Sequence, residues 1–94
     1  MPDKPIRLTP RLCRAGRAML GWRQADLAEA STIPNPNIEA FEAKPETAKM
    51  MGANMRALVE AFEKAGLEFI PANGGGAGIR FRDNTSADPA LGAP

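Results

Sequence analysis

The sequence predicts a mainly α-helical domain of four to five helices, closed by a short C-terminal β-hairpin or a pair of dimerisation strands. Three observations carry this. Residues 6–65 are rich in Ala, Leu, Met, Glu and Arg, which favour helix. Apolar residues recur there at helical spacing, most clearly as Met55, Leu58, Val59 and Phe62. Two short β patterns, Leu67-Glu68-Phe69-Ile70 and Ile79-Arg80-Phe81-Arg82, then flank a glycine-rich link.

The first helix opens at Thr9, an N-cap, with Pro10 in its first position. It runs to about Leu20, and Gly21 ends it. Leu8, Leu12, Ala15 and Met19 are expected to face the core, with Arg7, Arg11 and Arg14 on another face. A second helix of about eight residues starts at Arg23 or Gln24 and ends at Ala30, burying Leu27 and Ala28. Ser31 and Thr32 make a tight turn, and Ile33 plugs the core. A third helix opens at Pro34 or Asn35 and ends at Lys44-Pro45, with Ile38 and Phe41 inside. Residues 46–52 are ambiguous between loop and short helix. A fourth helix spans Asn54 to Ala65 and is capped by Gly66. The Gly74-Gly75-Gly76-Ala77-Gly78 run reads as a hairpin or a flexible connector, because no helix follows it to bind a phosphate.

Ninety-four residues make one small domain, which buries only about 60–65% of the surface of its unfolded chain. Residues 1–66 form the helical unit and residues 67–82 the strands. Residues 83–94 have too little apolar content to order themselves and are expected to be disordered. The chain has no histidine, no tyrosine and one cysteine. That excludes a Ser-His or Cys-His nucleophilic site and an ordinary zinc site. The expectation is a non-enzyme with no metal and no cofactor. No apolar run approaches the ~18 residues that a membrane span needs. The opening Met-Pro-Asp-Lys is not followed by the apolar stretch of a signal peptide, so a cytoplasmic location is expected. Cys13 is expected to be a buried small apolar residue, and Trp22 a core residue or a wedge between the first two helices. Met50, Met51 and Met55 read as core or partner-contact surface.

The net charge of +1 hides an asymmetry. Residues 1–30 hold six basic side chains against three acidic ones, while both later stretches are mildly acidic. A local basic face attracts phosphate even when the total is small.

Two short helices joined by a tight turn inside a helical core suggest a helix-turn-helix. In a 20-residue window that starts at Gln24, Leu27 is fourth, Ala28 fifth, Ile33 tenth, Ile38 fifteenth and Phe41 eighteenth. The apolar positions glue the two helices to the core, and the small fifth residue lets their backbones cross closely.

These positions, with Arg17, Gly21-Trp22-Arg23-Gln24, Asp26-Leu27-Ala28 and Phe41-Glu42, resemble the phage-repressor-type (Cro-like, Xre-like) helix-turn-helix transcriptional regulators. The resemblance covers residues 6–66, about two-thirds of the chain. The stretch Ala65–Pro71 and the glycines after it also look like the end of short bacterial members. The sequence differs from the family pattern at the turn, where Thr32 replaces the usual glycine. Arg23 stands where the second helix usually has a Ser or Thr cap, and Pro34-Asn35-Pro36-Asn37 opens the third helix.

The resemblance implies double-stranded DNA as partner, bound in the cytoplasm at the nucleoid. It implies that Gln24 bonds a phosphate at a helix N-terminus, flanked by Arg23 and Lys44. It also implies a structural ion pair between Arg17 and Glu42. The third helix then offers Asn35, Pro36, Asn37, Glu39 and Ala40 to base edges, where asparagine suits adenine, glutamate cytosine, and alanine a thymine methyl. A lone two-stranded hairpin is marginal in water, so the strands are expected to pair with those of a twin subunit through Phe69, Ile70, Ile79 and Phe81. The expected assembly is a homodimeric repressor on a palindromic operator. The alternative is a helix-turn-helix that binds a protein partner, as an antiactivator or antitoxin does, motivated by the prolines and acid of the third helix.

Overall fold

Thr9 sets the start of the first helix in the way its sequence foretells. The computed structural model describes residues 8–48, 50 and 52–83. In it, Thr9 is extended (φ −102°, ψ 164°) and its side chain accepts the Leu12 N–H at 3.1 Å. Helix α1 (Pro10–Leu20) follows, with Pro10 in a position that needs no N–H donor. It stops at Gly21, which takes the left-handed conformation (φ 68°). The Gly21 and Trp22 N–H groups then bond the carbonyls of Ala18 and Arg17 at 3.2 and 2.8 Å.

The buried line of α1 is not the expected one. Leu8 is buried, but Leu12, Ala15 and Met19 are only half-buried, and Pro10, Cys13 and Gly16 point inward. The reason lies across the core. The ring of Phe62 lies on Gly16 so closely that a Cβ built there would be 2.8 Å from Phe62 Cε1. The residue without a side chain is the one that admits the largest fully buried one.

Helix α2 (Gln24–Ser31) begins without a Ser or Thr cap. Asp26 replaces it from the third helical position, where its carboxylate accepts the Arg23 backbone N–H at 2.8 Å. The turn to helix α3 (Asn35–Glu42) passes through Thr32 at φ 62° and ψ 16°, the one non-glycine residue with positive φ among the described residues. Ser31 steadies this turn by accepting the Ile33 N–H on its hydroxyl at 3.2 Å. Helix α3 packs against α1 and α2 and buries Ile38, Phe41 and Glu42. Residues 43–48 are turn and loop, so the described residues hold four helices.

Helix α4 (Gly52–Lys64) buries Leu58, Val59, Ala61 and Phe62. Phe62 sits between Trp22, stacked at 6.1 Å, and Phe69, tilted at 5.9 Å. Trp22, in the link between α1 and α2, therefore packs on α4 as a partly buried part of the core. Strands β1 (Leu67–Ile70) and β2 (Gly78–Phe81) form one antiparallel sheet, with Leu67 opposite Phe81 and Phe69 opposite Ile79. Those four residues share the core-facing side. Glu68 and Arg80 pair on the other side at 3.3 Å. The Arg82 N–H bonds the Gly66 carbonyl at 2.8 Å, and its guanidinium donates to the Glu63 carbonyl, fastening β2 to the end of α4.

Of the two alternatives for the strands, the hairpin is formed: β1 and β2 pair with each other inside one chain. One expectation is corrected here. Phe69, expected at a dimer interface, is 5% exposed and belongs to the chain's own core. Ile70, Ile79 and Phe81 remain half-buried. No helix among the described residues is long and apolar enough to cross a membrane. The tail expected to be disordered, with Arg7 and Met51, lies outside the described residues, apart from Asp83.

Candidate nucleic-acid interface

The third helix is held from behind by one carboxylate. Glu42 is 5% exposed at the C-terminal end of α3. Its Oε2 accepts from Arg17 Nε at 2.8 Å and from the Cys13 thiol at 3.1 Å. Its Oε1 accepts from Arg17 Nη2 at 2.7 Å and from Gln24 Nε2 at 3.0 Å. The Glu42 carbonyl accepts from Arg14 Nη1 at 2.6 Å, and Arg17 Nη1 reaches on to the Trp22 carbonyl at 3.1 Å. One group thus ties α1, the start of α2 and the end of α3.

Burial alone would push the Glu42 carboxyl up. The hydrogen bonds from Arg17, Cys13 and Gln24, with the charge of Arg17, outweigh it and hold the group below the ordinary carboxylate value. The hydrogen bond to Glu42 raises the pKa of Arg17 in return. Burial first, then the bond to Glu42 and its charge, push the Cys13 thiol well up, so the thiolate is suppressed.

With Ile38, Phe41 and Glu42 turned inward, α3 presents Pro36, Asn37, Glu39 and Ala40 to solvent. Asn35 behaves differently. It is half-buried, and its Oδ1 is buried with no hydrogen-bond donor. Asn37 is exposed, and no described residue hydrogen-bonds its carboxamide. The helix runs Asn-Pro-Asn-Ile-Glu-Ala-Phe-Glu, without Lys or Arg.

Cations lie around it. Arg23 is highly exposed and paired with Asp26 at 3.0 Å. Its bonds to that carboxylate raise the Arg23 pKa and lower that of Asp26. Lys44 is exposed just past the end of α3. Gln24 spends one N–H of its amide on Glu42 and keeps a second N–H and its oxygen. The roles of Arg14, Cys13 and Gln24 around Glu42 were not legible in the sequence. The one clue was the Arg14–Arg17 spacing, which puts both on adjoining turns of α1.

No family model matches the chain, and no curated protein matches it.

Proposed function

We propose that the chain is a sequence-specific DNA-binding transcriptional regulator that binds a palindromic operator as a homodimer. The observation that carries this reading is α3 itself. Its inner residues are locked on the core by Glu42, Ile38 and Phe41, and its outer face is exposed as a rigid strip. A short helix held this way, next to a second helix and a tight turn, suits insertion in a major groove. Arg23, Gln24 and Lys44 supply phosphate contacts beside it. Arg17 and Glu42 keep α3 in place and touch no DNA.

Support for the homodimer is the apolar content that the single chain leaves half-buried, Ile79 and Phe81 on the core-facing side of β2 and Ile70 on the opposite face of β1. A second copy that covered these residues would also cover the open edge of a two-stranded sheet. The two recognition helices would then stand about 34 Å apart, one helical turn of DNA. Repression by blocking polymerase is the simplest outcome, at the nucleoid of a cytoplasm.

The test is binding to genomic fragments, read by fluorescence anisotropy at two salt concentrations. The reading expects sequence-dependent binding that weakens as salt rises, by about 0.9 in logarithmic slope for each phosphate contact. Equal, weak binding to every fragment overturns it. Sedimentation of the full chain at several concentrations tests the dimer, and a monomer throughout removes it.

One observation favours a second reading. The outer face of α3 is proline, asparagine, glutamate and alanine, with no cation on the helix. That face also suits a protein partner, as in an antiactivator or antitoxin. The anisotropy experiment separates the two.

A further inference from the structure

We infer that the recognition helix selects an A·T-centred half-site, with Asn37 pairing an adenine and Asn35 taking no part in base reading. This rests on the DNA-binding reading above and names what the third helix would read.

The two asparagines are two residues apart, but the fold separates their chemistry. A bidentate pair with adenine needs the whole carboxamide, its oxygen to accept from N6 and its nitrogen to donate to N7. Asn35 cannot offer that, because its Oδ1 is buried. Asn37 stands one residue past Pro36 and is exposed, so its carboxamide is available to a base edge. Its backbone is already fixed, since its N–H bonds the Pro34 carbonyl at 2.9 Å. Little backbone freedom remains for Asn37 to lose on binding.

The rest of the exposed strip disfavours guanine. The commonest guanine contact is an Arg or Lys on O6 and N7, and α3 carries neither. Glu39, two residues from Asn37, stands on a different part of the exposed surface and takes no part in this contact. Ala40, three residues after Asn37 and exposed, sits on the adjoining part of the face. Its methyl fits a thymine 5-methyl group. Asparagine for adenine, alanine for thymine and no cation for guanine all favour A·T pairs.

The experiment is selection of duplexes from a random pool by the full chain, in wild-type, Asn37→Ala and Asn35→Ala forms. Anisotropy then compares the selected duplex with one in which the A·T pair is changed to G·C. The wild type should select one adenine at a constant place in each half-site. Changing that pair should weaken binding roughly 5- to 150-fold per half-site. In Asn37→Ala the penalty at that pair should fall to near onefold, with preferences elsewhere kept. In Asn35→Ala it should persist. Asn37 is exposed, so a thermal melt should show Asn37→Ala folded as the wild type is. A G·C-centred motif, a penalty that survives Asn37→Ala, or one that vanishes in Asn35→Ala overturns the inference and leaves DNA binding standing. Enrichment of no motif by the wild type overturns both.

Discussion

Arg17 grips Glu42 through two parallel hydrogen bonds, Nε to Oε2 at 2.8 Å and Nη2 to Oε1 at 2.7 Å, with the carboxylate 4% and the guanidinium 18% exposed. The fork geometry fits a guanidinium and would not fit a lysine. It joins residues 25 apart in sequence, so it fastens α3 onto α1 rather than stabilising either helix alone.

Removing one partner leaves the other largely buried without its counter-charge. Glu42→Ala should therefore cost about 3–5 kcal/mol, with Cys13 and Gln24 also losing their acceptor. That is a large fraction of the 5–15 kcal/mol that holds a typical domain together. Urea unfolding followed by circular dichroism measures it, through the shift in midpoint at constant slope. A loss under about 1 kcal/mol would show that α3 is held mainly by Ile38 and Phe41.

The same pair sets a pH dependence. Glu42 titrates below its ordinary value when folded, so the folded state favours its ionised form. Its contribution is fully present above the unfolded-chain value of about 4.3 and is lost as pH falls through the lower folded value. The difference in unfolding free energy between wild type and Glu42→Gln should be largest near neutrality and shrink in acid. Urea titrations from neutral to acid pH check this, and a difference that stays constant throughout contradicts it.

Thr32 holds a left-handed conformation that suits glycine. A β-branched residue there costs about 1–2 kcal/mol, part of which glycine returns through its greater freedom in the unfolded chain. Thr32→Gly should gain about 0.5–1 kcal/mol and raise the melting temperature by about 2–8 °C. Calorimetry gives the answer. A lower melting temperature would mean that the Thr32 hydroxyl, which donates to the Ser31 carbonyl, outweighs the backbone cost.

Gly16→Ala should destabilise, although alanine is the better helix former by about 1 kcal/mol. The new Cβ meets Phe62, whose ring is held between Trp22 and Phe69 and has little room to move. Overpacking of this kind costs about 1–3 kcal/mol. Combining Gly16→Ala with Phe62→Leu should cost less than the two changes added together. Chemical denaturation of the four species forms the cycle, and strict additivity would show that the contact is looser.

Cys13 is fully buried and its thiol hydrogen-bonds Glu42. A thiol reagent should leave the native protein unmodified at mildly alkaline pH and titrate one group after urea is added. Rapid reaction of the native protein would place the thiol at the surface.

Much of this was legible in the chain because it is local. Thr9-Pro10 and Gly21 mark the ends of α1 through capping chemistry that involves only neighbouring residues. Leu27, Ile33, Ile38 and Phe41 are all buried as their spacing in the window implies, and Ala28 is half-buried. The two strands were readable from their apolar content.

Other features needed the partner surface. The rotation of α1 is one, since Leu12, Ala15 and Met19 are as apolar as its true inner line. The ring of Phe62 selects Gly16 for the inside, and Glu42 gives the Cys13 thiol its acceptor. Asp26 supplies the start of α2 from its third position, which a search for Ser or Thr passes over. Phe69 looked like interface until α4 placed Phe62 beside it.

By itself, the sequence determined the order of the elements, the core positions of the helix-turn-helix and the absence of histidine chemistry. These depend on propensity, spacing and composition, which act over a few residues. Only the tertiary structure decided which asparagine faces outward, which groups join Arg17 around Glu42 and which phenylalanine the core keeps. Those outcomes depend on what lies opposite a side chain, and the chain brings that neighbour from dozens of residues away.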